Sequence, residues 1–476
     1  MNTDIQTYQQ QPGNIRGLTL VAIAFATAFF PRLLSTAGAP APVNFVHFAI
    51  VPLVCGFVLS QTKVKDKQQI KTAKVLLGGL TILFGVTAAS ALLNGAGLIN
   101  VLLDFVLMTE PFILLMTIVC IPVSYKEHKR FKGWILGFGF ANLFLALAQK
   151  FLLSVNILRR TRLTAEDNVQ GVFYLSSGGH VVAATVTLCF CLYYLLKSKS
   201  SPLWLRASVV FAGLLQVLFA DAKQALMVAL VAWPILILSR VKNIKVTLQY
   251  LIAAFLVGYA FYWCIQNLEI FRAYNTWIRP EIYGPDGDAT VLKTAPFRII
   301  PTYFESPLNW LLGLGPGHTI GRLGGWMIRD YWSLLGPLKA TSHPAVNVIW
   351  DTWLSSYLDS SFFSPFWGWA GIWGDLGFLG LAAFLNIWLI VWTRLCPDDL
   401  SRFIVLNVLV NGFIFTLMEE PGFMLFVAVL IGLQWQERQL AQQQRQREQQ
   451  FAYAMQAASY LSQDDLLYLN ELQQPD

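Results

Sequence analysis

Runs of about 20 mostly apolar residues, the length that crosses the hydrocarbon core of a bilayer, recur about twelve times along this chain and constrain everything else it can be. They lie near 17–35, 43–60, 74–93, 98–122, 133–155, 171–196, 203–220, 223–239, 246–266, 371–393, 402–418 and 421–436. Of 476 residues, 55% are hydrophobic and 13% charged, too little polar surface for a soluble globule of this size. Because backbone polar groups in lipid must be satisfied internally, the expected fold class is all-α, a polytopic transmembrane helix bundle of about 12 spans. The first run is followed by Ala37, Gly38 and Ala39, which mimics a signal-peptide cleavage site, but Pro40 and the length of the run favour an uncleaved span.

Charge placement orients the bundle. The connectors KVKDKQQIKTAK, YKEHKRFKG, KSKSSPLWLR, SRVKNIK and TRLCPDDLSR are basic and occupy every second loop, the alternation expected of cytoplasmic loops. Much of the formal charge of +7 is therefore ordinary anchoring and does not argue for a nucleic-acid partner. An even number of spans puts both termini in the cytoplasm: residues 1–16 before spans one to nine (17–266), and 437–476 after spans ten to twelve (371–436). The expected location is a bacterial cytoplasmic membrane.

The segment 267–370, between the ninth and tenth spans, is long and rich in Trp, Gly and Pro, and is expected to fold as an extracytoplasmic cap of short helices. The tail from about Gln436 is Gln-rich; a cytoplasmic helix that lies on the membrane or meets a partner, such as an export protein, and a frayed solvated end are both compatible with it. Six cysteines lie in or beside apolar runs with no paired spacing, so neither a disulfide framework nor a zinc site is indicated. No internal repeat stands out, which weighs against a transporter built from inverted halves.

Cations on the outer side need a reason, because translocated loops usually shed them. Arg159, Arg160 and Arg162 share one such loop, LRRTRLTAED; Lys223 sits in the hairpin FADAKQAL; Arg272, Arg279, Lys293, Arg298, Arg322, Arg329 and Lys339 are in the cap. Salt bridging to cap acids such as Glu281, Asp286, Asp288, Glu305 and Asp330 is one account. For Lys223 the alternatives are snorkelling with Asp221 and binding an anion. A ligand that uses several cations at the membrane surface carries phosphate or carboxylate groups, and a lipid diphosphate meets that requirement.

Two further features belong to the cap. Gly313, Gly315 and Gly317 alternate around Pro316 in LLGLGPGHTIG, which describes a tight turn where backbone approaches something closely; as a phosphate loop it lacks the following Gly-Lys-Ser/Thr. His343, in TSHPAVNVIWDTW, is the histidine best placed to take a proton from a hydroxyl, although a lone histidine is more often structural. His47 and His180 fall in spans, His128 in a cytoplasmic loop and His318 on the glycine turn. No HExxH or GxSxG motif occurs, and the first outer loop, FFPRLLSTAGAPAP, has no carboxylate pair. No metal site and no cofactor are expected. Asp104 and Glu110 in the fourth run are read as the only clear intramembrane acids, serving ion coupling or bonds to a neighbouring helix.

Over roughly residues 160–390 the chain resembles the O-antigen polymerase and O-antigen ligase superfamily of bacterial envelope proteins. The likeness rests on NVQGVFYLSSGGH opening a span, on DAKQAL where the family carries a basic Ser-Arg-Gly-like hairpin, and on the order Arg298, proline, Gly-x-Gly-x-Gly turn, His343 and glycine-rich re-entry in GWAGIWGDLGFLG. Lys223 replaces the family's arginine and Pro344 its asparagine after the histidine. The resemblance implies a membrane glycosyltransferase that moves a glycan, without a metal, from a polyprenyl diphosphate-linked oligosaccharide to an acceptor sugar hydroxyl with inversion. His343 is then implied to be the general base, while Lys223, Arg298 and one or more of Arg159, Arg160 and Arg162 stabilise the leaving diphosphate. Polymerisation of lipid-linked repeat units is the first expectation. A ligase using another acceptor and a transporter of lipid-linked sugars or anions are the alternatives.

Overall fold

The computed structural model describes residues 17–62, 66–158, 166–176, 178–240, 244–269, 271, 280–356, 358 and 361–459. The chain is all-helical over these residues, with no strand among them. In chain order the main helices are α1 (Gly17–Phe29), α2 (Val46–Gln61), α3 (Lys67–Asn94), α4 (Leu98–Cys120), α5 (Tyr125–Ser154), α6 (Gly179–Lys197), α7 (Leu203–Phe219), α8 (Lys223–Leu238) and α9 (Ile244–Asn267). The segment from 280 to 367 contributes α10 (Asp288–Ile299), α11 (Leu308–Leu312) and α12 (Pro344–Leu354), and the chain closes with α13 (Gly368–Ile390), α14 (Asp399–Asn411) and α15 (Pro421–Ser459).

Seven segments among the described residues are long and apolar enough to cross a membrane: Ala41–Gln61, Lys67–Asn94, Leu98–Cys120, Tyr125–Ser154, Gly179–Lys197, Leu248–Asn267 and Gly368–Leu395. Of the other five runs read from sequence, four give shorter helices. Helices α1, α7 and α8 have 13, 17 and 16 residues, and α14 has 13. The last run is the first part of a 39-residue helix. The sixth run begins later than its hydropathy suggests, because Gly171–Phe173 forms a separate short turn before α6.

Local signals set several helix ends. Ser124 and Glu127 form a reciprocal capping box at the start of α5, and Asp398 with Ser401 does the same for α14. Helix α3 stops at Gly95, which adopts the left-handed conformation that ends many helices.

The innermost element is the first half of α15. Residues from Phe423 to Leu433 are almost entirely buried, packed on α4 and α1. Phe426 stacks with Phe25 and Phe29 at centroid distances of 6.2 and 5.8 Å. Gly432 lets α15 press against α4, since a Cβ there would meet Ile118 at 2.7 Å. A helix apolar all round belongs inside a bundle, and α15 turns polar where it leaves. There Glu437 accepts from Lys132 at 2.8 Å and from the Tyr193 hydroxyl at 3.2 Å. At that end Lys132 also donates to the Lys197 carbonyl, Lys197 pairs with Asp398, and Arg240 with Asp399, so four of the basic connectors meet. Beyond it the helix continues exposed to Ser459.

The segment 280–367 builds a second apolar core around Leu292, Ile300, Leu314, Ile349, Trp350 and Phe366. This cap sits on the bundle end that carries the α3–α4 turn. Gly97 N–H donates to Thr341 Oγ1 at 2.9 Å, and Asn100 donates to the carbonyls of Pro316 and Thr341 at 2.9 Å each.

Candidate functional site

The glycine turn of the cap is locked into a break in a membrane helix. Within α13, Gly377 has φ 65° and ψ −163°, so the helix is interrupted and the carbonyls of Gly374 and Asp375 lose their helical donors. The cap supplies replacements: Leu314 N–H donates to Gly374 O at 2.8 Å and Gly315 N–H to Asp375 O at 3.0 Å. That is how irregular backbone survives at this depth. Only glycine fits the approach, since a Cβ at Gly313 would lie 2.4 Å from Asp375 C and one at Gly377 2.3 Å from Leu311 C. The sequence pointed to a close backbone approach; the partner is α13.

The Asp375 carboxylate continues this joint. Its Oδ1 accepts from Thr319 N–H and Thr319 Oγ1, both at 2.7 Å, and its Oδ2 from Gly317 N–H at 3.1 Å. Glu419, in the short turn before α15, accepts the Arg322 N–H at 2.5 Å. Asp375, Glu419 and Asp104 of α4 line one narrow crevice with Met108, Gly321 and Gly371. Gly321 leaves room for the acids: its missing Cβ would stand 3.1 Å from Asp375 Oδ2 and 3.2 Å from Glu419 Oε2. Asp104 Oδ2 and Glu419 Oε1 are buried with no hydrogen-bond partner. Burial pushes the Glu419 carboxyl up to about 8, against the opposing hydrogen bond from Arg322. The Arg322 guanidinium pairs with Glu420 at 3.6 Å and lies within electrostatic reach of Arg32, in the short helix Pro31–Thr36 that follows α1.

His343 is on the other flank of the turn. It caps α12, its Nδ1 accepting from Ala345 N–H at 3.2 Å, and its ring meets Tyr303 edge-on at 5.1 Å. With Nδ1 accepting, the neutral ring carries its proton on Nε2. Burial lowers its pKa, against the pull of Glu305. His318 lies 5.7 Å from it, ring to ring. His318 Nδ1 faces the Leu314 carbonyl at 2.8 Å and so donates, which leaves Nε2 to accept from Thr341 Oγ1 at 2.8 Å. His318 is thus a neutral, fully used strut of the turn.

The remaining sequence candidates have partners of their own. Lys223 begins α8 and pairs with Asp221 at 2.7 Å. Arg298 is exposed on α10 and donates to the Val291 carbonyl of its own helix at 2.6 Å. Arg159, Arg160 and Arg162 lie outside the described residues, as do Arg272 and Arg279. Arg329 pairs with Asp330 at 3.2 Å, while its guanidinium lies 3.6 Å from the Trp350 ring centroid. Lys293 is held by two carbonyls, Ser364 O at 2.8 Å and Ile414 O at 2.7 Å; burial lowers its pKa to about 7.

The reading of Asp104 and Glu110 as the only clear intramembrane acids needs correction. Asp375 lies inside α13, one of the helices long and apolar enough to cross a membrane, seven residues from its start, and meets Asp104 across the crevice. Its neighbours in GWAGIWGDLGFLG were visible, but the Gly377 break that turns it towards the cap leaves no mark on hydropathy. Glu110 does bond to a neighbouring helix, through His47 of α2 at 2.9 Å. A second polar pair also went unread: His180, at the start of α6, lies 3.3 Å from Asp167. Gln149 fixes that turn by accepting from Gln170 N–H and Gly171 N–H at 2.8 and 2.7 Å.

Among the described residues, no three His, Cys, Asp or Glu side chains are arranged to hold a metal ion. The chain matches no protein-family model and no curated protein sequence at a significant level.

Proposed function

We propose that the chain is a membrane glycosyltransferase that moves a glycan from a polyprenyl diphosphate carrier to a sugar hydroxyl, polymerising lipid-linked repeat units of a surface or exported polysaccharide. It crosses a bacterial cytoplasmic membrane about twelve times with both termini inside and the cap outside. The acceptor oxygen attacks the donor's anomeric carbon from the face opposite the diphosphate, inverting its configuration as the bond to the diphosphate breaks. His343 receives the hydroxyl proton. Lys223, Arg298 and the Arg159, Arg160 and Arg162 loop stabilise the departing diphosphate, where cations act mainly in the transition state.

The observation that carries this reading is the joint between cap and bundle. A folded cap is held on one end of an apolar bundle by the turn Gly313–Arg322, with His343 on one flank and Arg322 beside Arg32 on the other. That arrangement suits a substrate with a lipid tail, an anionic head and a glycan above the membrane. The closed His47–Glu110 pair and the apolar residues below it, Leu114, Leu115 and Ile118, weigh against a conduction path along α4. In the His343 geometry described above, acting as base requires the ring to release Ala345 N–H and present Nδ1.

Deletion followed by chain-length analysis of the polysaccharide tests the proposal. A polymerase deletion leaves single-repeat products. Long chains retained on the carrier would instead identify a ligase, and unchanged polysaccharide would remove the reading.

A further inference from the structure

The crevice under the glycine turn is short of positive charge. The ionisable groups that face it or its rim are Asp104 from α4, Asp375 from α13, Glu419 and Glu420 from the turn into α15, Arg322 and Tyr331 from the cap, and Arg32 from the segment after α1, while His318 of the cap meets Asp375 through its backbone. His318 is neutral by its hydrogen bonds. Four carboxyl groups therefore meet two guanidinium groups. Glu420 is matched by Arg322 and also accepts from Phe423 N–H at 2.7 Å. Asp375 is matched by three donors. Asp104 and Glu419 are left, 5% and 4% exposed, each with one oxygen that finds no donor. A bare carboxylate in such a setting is prohibitively unfavourable, and the usual remedy is to take up a proton.

We propose that Asp104 and Glu419, with Asp375 between them, form a proton-binding site that keeps the cap's glycine turn seated on α13 while loaded. The ligand is a proton rather than a metal ion, because the donor set is not arranged to hold one and Gly321 and Gly371 close the walls, a Cβ on Gly371 falling 2.7 Å from Gly321 Cα. Loss of the protons leaves unmatched carboxylates on α4, on α13 and on the turn into α15. Their mutual repulsion acts on the Gly317, Thr319 and Arg322 amides that seat the turn. The sign follows from linkage: a carboxyl whose pKa is raised in the seated state binds more protons there than when released. Seating is complete in acid and is lost as pH rises through about 8, the value burial gives Glu419.

The test is amide hydrogen exchange on the intact chain in lipid nanodiscs, followed over peptides covering 313–325 between about pH 6 and pH 10 and corrected for intrinsic exchange. Wild-type protection of this turn is expected to fall with rising pH, while the capping peptide of α5 around Ser124 keeps its own. Asp104→Asn and Glu419→Gln, which imitate the protonated groups, are each expected to move the midpoint upward by about one pH unit or more. Three results would overturn the proposal. They are an unchanged midpoint in both variants, loss of protection already at neutral pH in either one, and protection that follows sodium concentration at constant pH.

Discussion

Glu110 and His47 hold each other across α2 and α4, both carboxylate oxygens lying 2.9–3.0 Å from imidazole Nδ1 with neither side chain more than 4% exposed. Removing one partner strands the other in an apolar bundle. Glu110→Ala is expected to destabilise the protein by roughly 3–5 kcal/mol, whereas His47→Leu with Glu110→Leu together should be much milder. Thermal unfolding in detergent checks this, and equal losses in the single and double variants would contradict it.

The glycine turn and the α13 break should be intolerant of a methyl group. Gly313 and Gly377 both have φ near 70° and both have backbone atoms where a Cβ would go. Strain alone costs about 1–3 kcal/mol at such positions, and the overlaps add to it. Gly313→Ala and Gly377→Ala are expected to unseat the cap and open it to limited proteolysis, while Gly78→Ala, with open space around it, should leave the digestion pattern unchanged.

Lys293 predicts a pH dependence of the opposite sign to that of the acidic crevice. Its pKa falls from 10.5 to about 7 in the folded cap because burial disfavours the ammonium. Between these values the unfolded chain binds the additional proton, so the folded state gains stability as pH rises from about 7 towards 10.5. Denaturation of wild type and Lys293→Met at neutral and alkaline pH should show a gain in wild type that the variant lacks.

His343 combines a capping role with the proposed proton transfer, and the two are separable. Asparagine is a good helix cap but no base, so His343→Asn should fold and insert normally while making no polymer. His343→Ala should add a stability loss of about 1 kcal/mol from the missing cap. Long polysaccharide from the asparagine variant would remove the base assignment and leave the cap as the residue's role.

For Lys223 the conservative exchange is the informative one. Lys223→Arg keeps a cation beside Asp221 and should retain most transfer, whereas Lys223→Ala should lose it. Polysaccharide of equal length from both variants would assign Lys223 to the Asp221 ion pair alone.

Hydropathy located the long helices because it reports length and composition, the two properties a spanning segment must have. It was less informative for α1, α7, α8 and α14, whose helices are short. Residues 421–436, read as one more span, form the most enclosed part of the bundle, which hydropathy does not distinguish from a lipid-facing helix. The glycine turn was legible as a turn because alternate glycines forbid a helix interior. Its partner was not, since the contact between Leu314 and Gly374 joins residues far apart in sequence. The same distance hid the meeting of Asp104, Asp375 and Glu419. Arg32 stood in a loop noted for its lack of acids, and only the fold brings it towards Arg322.

Helix α15 starts beside Glu419 and Glu420, under the cap, and ends at Ser459, well outside the opposite face. At 1.5 Å per residue its 39 residues make a rod about 58 Å long. Because its near half is enclosed on all sides while its far half is bare, the helix is anchored at one end only, and a partner meeting residues beyond Glu437 would find a rod already fixed in direction.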